Sequence, residues 1–102
     1  MYATLTQYRV NPIFKEDFVA SWHEIMDELK RVGKSHAGNL HRESRISYLS
    51  YILWYSRDTY DHIHSQEYQK VADDIKTLHS YCNDVKLLHR MEIIKQVTPS
   101  TS

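Results

Sequence analysis

The run Ile46-Ser-Tyr-Leu-Ser-Tyr-Ile-Leu-Trp-Tyr55 constrains this chain more than any other stretch. At a period of two, Ile46, Tyr48, Ser50, Ile52 and Trp54 share one face, and Ser47, Leu49, Tyr51, Leu53 and Tyr55 share the other. A strand in a small antiparallel sheet ordinarily has one apolar face and one wetted face. Here both faces carry large apolar side chains, so both need cover. One helical layer covers only one face. The second cover is expected from another copy of the chain, which predicts a homodimer paired through its sheets.

With 102 residues the chain suffices for one modest core. Residues 1–97 are read as a single domain and 98–102 as a polar C-terminal tail. Lys plus Arg number 13, and Asp plus Glu also number 13. That balance argues against a nucleic-acid or anionic-membrane partner, which needs a clustered basic excess. Cys82 is the lone cysteine, so no internal disulfide can form and a reducing compartment is expected. The first residues lack a basic region followed by an apolar run, and no window approaches the roughly 18 apolar residues of a membrane span. A cytoplasmic location follows as the expectation.

Tyr2 to Val10 alternates and is rich in aromatic and β-branched residues, which predicts a strand ended by Asn11-Pro12. From Phe14 to Val32 the apolar positions Phe18, Trp22, Ile25, Met26, Leu29 and Val32 trace one stripe of a helix. Gly33 is its expected stop. Ser35 to Glu43 is a second strand, in which Gly38 is taken to mark a bulge. Glu43-Ser-Arg45 then connects it to the Ile46–Tyr55 strand as a hairpin.

Ser56 is the expected cap of a second helical region. Its stripe of Tyr60 and Ile63 resumes at Tyr68, Val71, Ala72, Ile75 and Leu78 after a slip near Ser65, which predicts a break or kink. A last strand is expected over 84–97, with Val85, Leu87, His89, Met91 and Ile93 on one face. The order β-α-β-β-α-β defines an α+β, ferredoxin-like domain with an antiparallel sheet.

Several chemistries find no support in this sequence. The only glycines are Gly33 and Gly38, so there is no phosphate-cradling loop. The third strand has no basic-glycine-aromatic signature of RNA-binding domains. Cys82, near a helix–strand junction, is read as a plain thiol rather than a nucleophile. His62-Ile63-His64 has the composition of a metal pair, but residues two apart on a helix point in different directions, so no metal site is expected. His62 alone is either a surface histidine or a proton-transfer group. Trp22 and Trp54 are either core or pocket, and Tyr8, Tyr51 and Tyr68 either packing groups or pocket-lining donors.

Tyr8-Arg-Val-Asn-Pro12, followed by Phe18 and Trp22, resembles the antibiotic-biosynthesis-monooxygenase (ABM) domain of the dimeric α+β barrel superfamily. So does Trp54-Tyr-Ser56, continuing through Tyr60 and His62 to Tyr68, together with the glycine-containing strand Gly33 to His41. The resemblance covers about residues 2 to 96 and implies a dimeric α+β barrel paired through its sheets. It also implies one of several activities. Some members oxygenate polycyclic phenols or quinols without a cofactor, others degrade haem, and many have no known activity. The haem-degrading branch uses an Asn, a Trp and a His ligand at positions matching Thr6, His62 and Ala72 here, so haem is not expected.

The resemblance therefore suggests a cofactor-independent monooxygenase of a small aromatic, quinol or polyketide-like molecule. His62 would transfer the proton, and Trp22, Tyr51, Trp54 and Tyr68 would hold the ring. The alternative is a non-catalytic dimeric small-molecule-binding or stress-response module. A closed, fully packed helix–sheet interface would favour that alternative.

Overall fold

The computed structural model describes residues 1–63 and 68–97. Strand β1 (Tyr2–Val10) runs into a 3-10 turn (Pro12–Phe14) and helix α1 (Lys15–Arg31). The hairpin β2 (Ser35–Arg42) and β3 (Ser47–Trp54) follows, then the short helix α2 (Arg57–His62), helix α3 (Gln69–Ser80) and strand β4 (Cys82–Glu92). The sheet is antiparallel with strand order β2-β3-β1-β4. The fold is therefore α+β with the ferredoxin-like order. No helix among the described residues is long and apolar enough to cross a membrane.

Local chemistry sets the boundaries. Asn11 accepts a hydrogen bond from the Ile13 amide and starts the turn that lifts the chain off the sheet. Glu16 and Asp17 open α1 and Lys30 and Arg31 close it, each complementing the helix dipole. Gly33 then takes φ +70°, a conformation costly for any residue bearing a Cβ. Ser56 caps α2 by accepting from the Thr59 amide at 3.1 Å. Residues 64–67, where the slip of the apolar stripe falls, lie outside the described residues, as does the 98–102 tail. The flanking helices α2 and α3 are separate elements.

Two irregularities differ from the expectation. The register of β2 slips between Ser35 and Ala37, so the bulge lies at His36 rather than at Gly38. Gly38 serves close packing instead, because a Cβ there would stand 2.5 Å from the Met26 Cε. In β4 the register against β1 shifts between Leu5 and Thr6, where His89 and Leu87 are the successive partners. Leu88 is thus extra. One extra residue reverses the alternation. Val85 and Leu87 share the face of Tyr8 and Thr6, whereas His89 and Met91 share the face of Leu5 and Ala3. They do not form one continuous face as the sequence pattern suggested, and the strand ends at Glu92 rather than continuing to Val97.

The helices lie on the face bearing Tyr2, Thr4, Thr6 and Tyr8 of β1 and Tyr48, Ser50, Ile52 and Trp54 of β3. Phe18, Ile25, Met26 and Leu29 of α1, Ile63, and Val71 and Leu78 of α3 complete the core. On the opposite face Leu5, Leu49, Tyr51 and Leu53 are only half covered.

Candidate functional site

The helix layer does not close completely onto the sheet. A cavity of about 190 Å³ separates them, floored by Thr4, Thr6 and Tyr8 of β1, Ile52 and Trp54 of β3, and Val85 and Leu87 of β4. Its roof is Trp22, Ile25 and Leu29 of α1, Tyr60 and Ile63, and Val71, Ile75, Leu78 and His79 of α3. His79 and Leu87 are exposed and form its rim between α3 and β4. An engineered apolar cavity of about 150 Å³ admits one benzene. The space here suits one substituted ring.

The two indoles enter from opposite walls and are anchored alike. Trp54 is buried, and its Nε1–H donates to Thr4 Oγ1 at 3.0 Å. Trp22, half-buried, donates through Nε1–H to the buried Ser50 Oγ at 2.8 Å. The hydroxyls that receive these bonds lie on the sheet, so the N–H of each indole is tied to it. Tyr60 meets Trp54 nearly edge to face at 5.2 Å between ring centres. Both indole N–H groups are thereby engaged within the protein, leaving the rings as aromatic surface.

Tyr8 closes one end. It packs against Phe18 at 5.3 Å and His79 at 6.1 Å between ring centres. Burial raises its phenol pKa well above the usual value, with smaller contributions from Cys82 and Tyr60. Partial burial lowers the His79 pKa, so that imidazole is neutral near pH 7. Burial pushes the Cys82 thiol up to about 11, which suits an inert thiol.

The expected site residues separate. Trp22 and Trp54 both line the cavity. Tyr51 belongs to the other face of the sheet, paired with Leu5 and Asn39. Tyr68 packs at the edge of the core beneath the Lys34 ammonium, 5.0 Å from its ring centre, and is not part of the lining. His62 is exposed at the end of α2, with Nδ1 2.8 Å from the Asp58 carbonyl oxygen, and is also outside the lining. His64 lies outside the described residues. Among the described residues no group of three His, Cys, Asp or Glu side chains is placed to hold a metal ion.

Sequence reasoning missed His79, Thr4 and Thr6, whereas Tyr8, read as either a packing group or a pocket-lining donor, does line the cavity. The alternation of β1 put Thr4, Thr6 and Tyr8 on one face, but nothing in the sequence identified that face as a cavity floor. His79 follows Leu78 and falls one position off the apolar stripe.

An antiparallel ferredoxin-like domain with an aromatic cavity between helices and sheet is thus the class defined by fold and site. Its fold is that of antibiotic biosynthesis monooxygenase proteins. One crystal structure of that name superposes with a TM-score of 0.71 at 12% identity, covering 93% of this chain and 100% of its own. SnoaB, a cofactor-independent oxygenase from Streptomyces nogalater, gives 0.74 at 13% identity over 96% of this chain and 97% of its own. A Mycobacterium tuberculosis protein gives 0.72 at 11% identity, covering 95% and 98%. No family model and no curated protein matches the sequence.

Proposed function

We propose that this protein binds a small aromatic molecule in the cavity between Trp22 and Trp54 and oxygenates it without a cofactor. The observation that carries this reading is the open, mostly apolar space between two anchored indoles. A fully packed interface would have favoured a purely structural or non-catalytic module. The fold shared with a cofactor-independent oxygenase is consistent with the reaction type.

The chemistry asked of the protein is modest. A phenol with a free para position gives its hydroxyl proton to a base, and the phenolate passes one electron to dioxygen. The resulting radicals combine to form a C–O bond at the para carbon. The hydroperoxide then gives up the ring proton and loses water, leaving the quinone, so that arenol plus O₂ becomes quinone plus water. The apolar walls exclude bulk water, and a neutral imidazole at the rim can receive the proton. His79 occupies that position and takes the role first expected of His62. Trp22 and Trp54 hold the ring.

The proposed assembly is a homodimer through the open sheet face. Its support is the half-covered row Leu5, Leu49, Tyr51 and Leu53, apolar surface of the kind that marks an interface.

Oxygen consumption with para-unsubstituted phenols, 1-naphthol and anthrones is the test. Single-ring substrates should be favoured over tricyclic ones by the cavity's size. His79→Gln should lower turnover by about 10²–10⁴-fold, the usual contribution of general acid–base catalysis, whereas His62→Ala should leave it nearly unchanged. Saturable binding with no oxygen uptake for any substrate would replace the oxygenase with a binding module.

A further inference from the structure

We infer that the buried Tyr8 hydroxyl is the polar anchor of the cavity and selects neutral single-ring ligands that carry a hydroxyl or carbonyl oxygen. This deepens the proposed function and rests on its cavity.

Tyr8 is 8% exposed, yet among the described residues its hydroxyl makes no hydrogen bond. Three hydroxyls on the same face are treated differently. The Tyr2 hydroxyl accepts from Arg90 Nε at 3.0 Å, Thr4 accepts from Trp54, and Ser50 from Trp22. Tyr48, equally buried, lines open grooves beside α1 rather than the cavity. Native proteins leave few buried hydroxyls unpaired, because desolvation without a partner is costly. An unpaired hydroxyl that borders ring-sized space is a group to which a ligand can bring the missing partner.

The surroundings restrict that partner. Raised by burial, Tyr8 remains a neutral phenol able both to donate and to accept. The side chain of Thr6, beside it on the floor, also makes no hydrogen bond among the described residues. Among the described residues no Lys or Arg lines the cavity, so a carboxylate would enter without a counter-ion and is disfavoured. A ligand ring against the indoles, with its oxygen toward Tyr8, satisfies both ends.

The test compares p-cresol with p-xylene, which differ by hydroxyl against methyl at nearly equal volume, in the wild type and in Tyr8→Phe. The indole N–H resonances of Trp22 and Trp54 report occupancy in titrations followed by NMR. In Tyr8→Phe, p-cresol should bind about ten-fold more weakly relative to p-xylene than in the wild type, the size of one net hydrogen bond. With isotope-labelled tyrosine in the wild-type protein, p-cresol should also shift the Tyr8 Cζ resonance and p-xylene should not. This second readout does not depend on the variant folding. If both ligands bind and neither the affinity ratio nor the Tyr8 signal distinguishes them, the anchor is disproved while the cavity stands. If neither ligand moves the indole resonances, the cavity reading fails and the anchor with it.

Discussion

Along β3 the side chains alternate between two surroundings. Tyr48, Ser50 and Trp54 point under the helices and are buried to 5% exposure or less, whereas Leu49, Tyr51 and Leu53 on the other face are only half covered. The usual distribution of polarity is partly reversed. Hydroxyls gather on the covered face, where Thr4, Thr6 and Ser50 lie beneath the indoles, while aliphatic side chains dominate the centre of the open one. Buried hydroxyls are tolerated where they accept hydrogen bonds, so the covered face can be polar without being wet. An apolar face left half open gains by meeting another apolar surface. One face builds a site and the other offers a seam.

The largest test of this contrast is a pair of charge insertions. Tyr48→Lys with Ile52→Lys should abolish folding, since unpaired charges beneath the helices would exceed a stability of roughly 5–15 kcal/mol. Leu49→Lys with Leu53→Lys should leave the circular dichroism spectrum intact and shift sedimentation from dimer toward monomer. Unfolding of both variants at the same denaturant concentration would erase the distinction between the faces.

Smaller changes sharpen the account of the covered face. Thr4→Val leaves the buried Trp54 N–H without its acceptor and should cost about 1–3 kcal/mol in urea unfolding, with Thr4→Ser recovering most of it. Tyr8→Phe removes a hydroxyl that makes no hydrogen bond among the described residues, so stability should change by less than about 0.5 kcal/mol. A large loss would mean that Tyr8 has a partner in the free protein.

The smallest effect concerns the rim. His79 in the folded protein titrates below its ordinary value of 6.5, so folding favours the neutral imidazole. Its contribution is fully present above 6.5 and is lost as pH falls toward the lowered folded value. Thermal unfolding followed from about pH 7.5 to 5 should therefore show a steeper decline for the wild type than for His79→Gln. Parallel curves would place His79 in water rather than at a cavity.

The helix stripes, the Ser56 cap and the Gly33 stop were legible because each depends on residues within one or two turns of one another. The same holds for the two apolar faces of β3, since a period of two requires nothing beyond the strand itself. Trp22 and Trp54 were legible as pocket candidates on residue type and resemblance together. Tyr51 was equally attractive on residue type, yet strand alternation sends it to the face away from Trp54. His62 and Tyr68 matched a motif whose spacing along the chain does not bring them to the cavity.

Local sequence alone determined the order of elements and which strand carries two apolar faces, because side-chain periodicity is a short-range property. Tertiary structure decided the rest. A single extra residue at Leu88 sends Leu87 to the cavity floor and His89 to the opposite face. Strand pairing places the Thr4 hydroxyl under an indole fifty positions away, and the packing of α3 brings His79 against Tyr8. Register, bulge and helix docking depend on contacts between distant parts of the chain, and a periodic pattern assigns a side chain to a face without fixing what lies across from it.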